Sequence, residues 1–186
     1  MTAGRGVHRR RPIMTEPTRN MASLRWSEPV PVHRDNWRIA ACPVNGPALR
    51  ASGRQVAIAW FTATADQGHV FAAFSSDAGK TFGTPIRIDD VGALGRVDVE
   101  LLPDHSAVVS WIEFAGQRSQ FRIRRVERSG SRSDSTSVAG ISSSRASGYP
   151  RLARRGNELI FAWTDTQGGS RVRTATARLT VFGPRD

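Results

Sequence analysis

Three short apolar runs recur at nearly constant spacing along this chain. Residues 56–60, 107–111 and 159–163 each close on a tryptophan, and Trp60, Trp111 and Trp163 stand 51 and 52 residues apart. A period of that size marks a tandem array of one supersecondary unit. Runs of this length, rich in β-branched and aromatic residues, read as strands covered on both faces. Seven residues before each tryptophan stands a turn former, Gly53, Asp104 or Gly156, and a further short strand precedes each turn at 47–51, 98–102 and 150–154. A polar loop and a third strand follow each tryptophan, at 69–75, 120–126 and 171–177. A fourth strand is expected at 82–88 and at about 135–139.

Four strands joined in sequence order form an antiparallel meander, and a meander in tandem reads as the blades of a β-propeller. The expected fold class is therefore all-β, with blades over 46–90, 97–140 and 148–186. Residues 26–32 repeat the pattern of 82–88, aromatic-x-x-Pro followed by alternating aliphatics, so 24–33 reads as the last strand of a preceding blade. No helical period appears anywhere. About three blades and one strand do not close a ring, and each open blade edge leaves backbone donors and acceptors unpaired. Two expectations follow: the chain is the C-terminal portion of a longer propeller, or two chains join into one ring. Self-association through the open edges is the partner class this geometry implies.

Composition narrows the partners further. The 27 Lys+Arg against 16 Asp+Glu give a formal net charge of +11, and Lys80 is the only lysine among those cations. Outside residues 1–23, which hold the run Arg9-Arg10-Arg11, the arginines are strewn from Arg25 to Arg185 without interleaved aromatics, so no specific nucleic-acid surface is read. No apolar run reaches the ~18 residues of a membrane span. Residues 1–23 hold all three methionines and the arginine run, and they read as a disordered tail. Arg9-Arg10 invites an export signal, yet residues 12–17 supply no apolar core for one, so no signal peptide is read. Cys42 is the single cysteine and reads as a small buried thiol. His8, His33, His69 and His105 are scattered, so neither a metal site nor a cofactor is expected.

Between the third and fourth strands of the first full blade stands Ser75-Ser76-Asp77-Ala78-Gly79-Lys80-Thr81-Phe82. The carboxylate of Asp77 and the hydroxyls of Ser75 and Thr81 suit a tight hairpin turn. Gly79 suits a positive φ, and Phe82 is expected to tuck between sheets. This segment fits Ser-x-Asp-x-Gly-x-Thr-aromatic, the Asp box. The chain resembles the sialidase (neuraminidase) superfamily of Asp-box, or BNR-repeat, propellers over roughly residues 24–178. Only a degenerate box, Arg128-Ser129-Gly130, follows in the second unit. The box is read as a structural element. The resemblance implies a six-bladed ring and a secreted or periplasmic location. It implies glycan (sialoside) binding or exo-α-sialidase-type hydrolysis. A non-catalytic scaffold whose rim loops bind a protein or anionic ligand is the alternative.

The resemblance also implies where chemistry sits. Ligands lie over the channel, on the face carrying the loops that enter each first strand and those that join each second strand to its third. The entering loops collect Cys42, Asn45, Arg96, Asp98, Tyr149 and Arg151; the second set adds Asp66, Glu113 and Asp165. Relatives of this kind grip a carboxylate with three arginines and use an aspartate acid/base with a glutamate-activated tyrosine. Guanidinium forks match carboxylates, and a neutral tyrosine avoids driving an anionic nucleophile at the reaction centre. The catalytic candidates are Tyr149, the chain's only tyrosine, with Glu113 and Asp98. The substrate-binding candidates are Arg151, Arg96 and Asn45. Packing of Tyr149 at the rim, and a solvated channel for Asp98 and Glu100, are the alternatives. The family's Arg-Ile-Pro stretch is absent; Trp37-Arg38-Ile39-Ala40 lacks the proline.

Overall fold

Alternation of small and large apolar residues produces strands that pack on both faces, and three antiparallel sheets result. The computed structural model of the chain describes residues 27–39, 44–115 and 118–179. Sheet 1 is ordered β1 (Ala48–Ser52), β2 (Gln55–Thr64), β3 (Gln67–Ser75) and β4 (Ile86–Arg87). Sheet 2 is ordered β5 (Ala93–Leu101), β6 (Ala107–Ala115), β7 (Arg118–Val126) and β8 (Thr136–Ile141). Sheet 3 places β10 (Glu158–Asp165) between β9 (Arg151–Arg155) and β11 (Arg171–Arg178). The protein is all-β, a succession of antiparallel meanders. The chain divides into a unit ending at Pro31 and one beginning at Val32, and the second holds every strand described.

Period-two alternation assigns each side chain to one of two cores. Ala57, Ala59, Val70, Ala72 and Phe74 of sheet 1 meet Val97, Val99, Ala107, Val109 and Trp111 of sheet 2. On the other face of sheet 2, Val108, Ile112 and Phe121 meet Leu152, Leu159 and Phe161 of sheet 3. Sheet 2 is thus covered on both faces, which is why its strands read as continuous apolar runs. The first strand of sheet 2, β5, packs against β1, β2 and β3 on one side and β9 on the other.

The three tryptophans occupy one repeat position but not one environment. Trp111 is fully buried between sheets 1 and 2. Trp163 is half-buried against Phe121, and Trp60 is half-buried against Phe71, with His33 6.2 Å away. Trp111 and Trp163 each face the preceding sheet, whereas no preceding sheet is described beside Trp60.

Departures from the expected strands have local causes. The fourth strand shrinks from 82–88 to Ile86–Arg87, since Pro85 has no donor and Gly83 spends its N–H on the Phe74 carbonyl (2.9 Å). First strand β5 starts at Ala93, earlier than expected, because register shifts between Ala93 and Asp98 let the ladder continue around an irregularity. Residues 27–33, the described part of the strand expected over 24–33, carry no strand; Pro29 and Pro31 remove two donors there. Cys42 and the tail over 1–23 lie outside the described residues.

The 75–82 turn shows how a side-chain network replaces a ladder. Ser75 Oγ donates to Asp77 Oδ1 (2.7 Å) and accepts the N–H of Gly79 (2.9 Å). Asp77 accepts both the N–H (2.9 Å) and the hydroxyl (2.7 Å) of Thr81. Gly79 sits at φ 82°, a left-handed conformation that a side chain would strain. Phe82 does not close into a sheet interface. It is half-buried and lines a cleft of about 620 Å³ shared with the degenerate 128–130 turn.

These donors, the Thr81 N–H foremost, hold the Asp77 carboxyl well below the usual aspartate range. A carboxyl depressed on folding stabilises the protein above its unfolded value and loses that contribution as pH falls through the folded one. Stability is therefore expected to decline below about pH 4, and Asp77→Asn should flatten that acid limb. Melting temperature against pH measures it; an unchanged limb would remove Asp77 from the cause.

Candidate functional site

Inner strands β1, β5 and β9 also carry polar groups at the faces between sheets, and these pair from sheet to sheet. Arg50 Nε donates to Glu100 Oε1 (2.8 Å), joining β1 to β5. That bond raises the Arg50 pKa further above its ordinary value. One register step toward the strand entry, Arg151 Nε lies 3.2 Å from Asp98 Oδ2, joining β9 to β5. Asp98 has no exposed surface and also accepts the N–H groups of Val99 and Leu152, both at 3.0 Å. Arg151 by contrast is 63% exposed, and its two terminal nitrogens make no hydrogen bond among the described residues. A buried carboxylate therefore aims an open guanidinium fork at solvent.

The loops entering the inner strands form a second tier. Asn45 donates from Nδ2 to the Leu94 carbonyl (3.1 Å) and accepts the Arg96 N–H at Oδ1 (3.0 Å). Gly95 must be glycine, since its φ is 84° and a Cβ would stand 2.6 Å from the Asn45 side chain. Arg96 follows at φ 54°, a conformation that costs about 1–3 kcal/mol for a residue with a side chain. Its guanidinium secures that conformation by donating to Ser147 Oγ (2.5 Å) and to the carbonyls of Ser144 (2.8 Å) and Ser143 (3.3 Å). Burial lowers its pKa, and Tyr149 lies within its electrostatic reach. Each of these contacts spans about one repeat length, so the tier stitches successive sheets together.

The rim thus gathers Asn45, Arg96, Asp98, Tyr149 and Arg151, with Tyr149 half exposed. Their states differ. Arg96 is spent on the 143–147 turn, and Asn45 on the 94–96 backbone; both position the rim. Glu113 is fully buried and serves another junction: its Oε1 accepts the N–H groups of Asp90 (2.7 Å) and Val91 (3.1 Å). Its Oε2 lies 3.4 Å from Arg122 Nε, and no hydrogen bond joins Glu113 to Tyr149 among the described residues. Both carboxylates named as catalytic candidates are committed to backbone N–H groups and arginines. Arg50 is the rim residue the repeat pattern did not single out, although Arg-x-x-Gly at 50–53 placed it one turn from the Gly53 bend.

No protein-family model matches the sequence, and no curated protein matches it. Solved structures do. A thermostable family-43 glycoside hydrolase superposes with a TM-score of 0.50 at 12% identity, over 74% of this chain and 51% of that one. Matched structures of this group are β-propeller enzymes. The three sheets are propeller blades. Bacteroides ovatus Xyloglucan PUL GH43B matches at 15% identity and TM-score 0.49, over 75% of this chain and 27% of its own. The family-43 protein BlXynB from Bacillus licheniformis matches at 11% identity and TM-score 0.47, over 74% and 28%. This chain spans about half the length of the first propeller and less than a third of the other two. At such identities the likeness is one of fold.

Proposed function

We propose that the chain is part of a sialidase-like propeller that binds an anionic saccharide at the channel rim without hydrolysing it. Arg151 is the observation that carries this reading: an exposed fork two residues along the chain from exposed Tyr149, held by fully buried Asp98. A fork with free terminal nitrogens matches a carboxylate in two parallel bonds, and an aromatic on the same rim gives a sugar ring an apolar face. The glycoside hydrolase that shares this fold is in keeping with a carbohydrate ligand. Hydrolysis of the exo-α-sialidase type would need a carboxylic acid free to reach the glycosidic oxygen. Asp98 and Glu113 are instead buried and bonded to the backbone.

Calorimetric titration of the chain with sialyllactose and with a uronic-acid disaccharide tests the proposal. Arg151→Ala is expected to weaken binding about 10–100-fold, the span of one bidentate charged contact. Tyr149→Phe should bind nearly as the parent does, and fluorogenic sialosides should not turn over. Turnover that Tyr149→Phe abolishes would replace the binding reading with the hydrolytic one. Equal affinity for Arg151→Ala would move the ligand elsewhere, in favour of a rim scaffold.

A further inference from the structure

The position two residues after each tryptophan holds Thr62, Glu113 and Asp165 in successive blades. In the second blade Glu113 reaches back to the incoming connection and caps the N–H groups of Asp90 and Val91, which closes the junction between blades. Its third-blade equivalent is one methylene shorter. Asp165 Oδ1 turns to its own loop and accepts the Gln167 N–H (2.9 Å), while Oδ2 takes Arg173 Nε (2.6 Å) and lies 3.5 Å from Arg171 Nε. No N–H of residues 141–142, which stand where 90–91 stand one repeat earlier, reaches Asp165 among the described residues. The gap stays open as a cleft of about 480 Å³ between the facing ends of β6 and β7, the β8–β9 connection and the β10–β11 loop.

The cleft has the chemistry of a sugar site. Its walls carry hydroxyls from Ser119, Ser142, Thr164 and Thr166 and the amide of Gln167. At its edge Phe114 is 48% exposed. The repeat shows that the blade itself does not call for an aromatic here: Ala63 and Thr166 occupy the same place, three residues after Trp60 and Trp163. An exposed ring beside hydroxyls and backbone offers stacking to C–H faces and paired bonds to vicinal hydroxyls, and the volume suits a small ligand. The Asp165 charge is met by both Arg171 and Arg173, and Arg118 also stands in the wall, so the cleft has no place for a cation, and its hydroxyls and exposed ring set the chemistry it offers. We propose that this cleft, opened by aspartate where the preceding blade has glutamate, binds a neutral saccharide of one or two rings, with Phe114 as its stacking face.

The cleft stands independently of the rim at Arg151. Saturation-transfer NMR of the full chain with methyl glucoside, methyl galactoside and lactose tests it. At least one probe is expected to receive magnetisation, with Phe114→Ala weakening it about five-fold, as loss of one aromatic contact implies. Asp165→Glu, which restores the capping reach of Glu113, should abolish the signal while the far-ultraviolet circular dichroism stays that of the parent. Arg151→Ala should leave it unchanged. The proposal is overturned if no probe responds, if Phe114→Ala binds as the parent does, or if Arg151→Ala removes the signal.

Discussion

Trp111→Ala is expected to destabilise the protein by about 4 kcal/mol, more than the same change at Trp60 or Trp163. The indole of Trp111 has no exposed surface and fills the space between sheets 1 and 2, where Ala57, Ala59 and Val109 are too small to close over a cavity. Trp60 and Trp163 are half-buried, so truncation there returns less apolar surface to water and leaves a smaller void. About half the cost is expected at each. The buried Nε1 of Trp111 has no hydrogen-bond partner among the described residues, so Trp111→Phe should cost much less than Trp111→Ala. Urea unfolding of the four variants separates these terms. Equal costs at all three tryptophans would mean that they are packed alike, contrary to the gradient of burial described above.

Much of this architecture was legible because burial follows residue type at fixed intervals. Apolar runs ending at Trp60, Trp111 and Trp163 locate the second strand of each blade, and Gly53, Asp104 and Gly156 locate the bend before it. Strand edges were less legible. Whether 82–88 forms seven ladder residues or two depends on which carbonyls the partner strand leaves free, and Pro85 decides that only once β3 is in place. The irregularity at 95–97, which lets β5 start at Ala93, needs Gly95 and a left-handed Arg96 together. Site chemistry was least legible, for a related reason. Glu113 and Asp165 share a repeat position and a charge, yet the glutamate reaches the next backbone and the aspartate does not. Likewise Arg96 and Arg151 read alike in sequence, and only their partners separate an anchored guanidinium from an open one. Residue type and spacing place a side chain at a rim; the competing acceptors around it determine whether it is free to act.

Asp98→Ala is expected to cost about 3 kcal/mol and also to weaken saccharide binding, whereas Arg151→Ala should affect binding alone. The carboxylate of Asp98 is wholly buried and takes the Leu152 N–H across the blade boundary, so its removal leaves a buried donor without an acceptor. Leu152 itself is 1% exposed, and no water replaces the lost bond. Arg151 is mostly solvated, so deleting it forfeits little folding energy, the usual outcome for an exposed partner. Without Asp98 the guanidinium loses the contact at Nε that aims it, and the entropy of ordering that long side chain then falls on the ligand. Asp98→Asn keeps an oxygen for one N–H but presents an amide donor toward Leu152 or Arg151, so an intermediate loss of stability is expected. Paired unfolding and calorimetric titration of the three variants make the distinction. A stable Asp98→Ala protein would show that Leu152 finds another acceptor, and full affinity in that protein would show that Arg151 needs no carboxylate behind it.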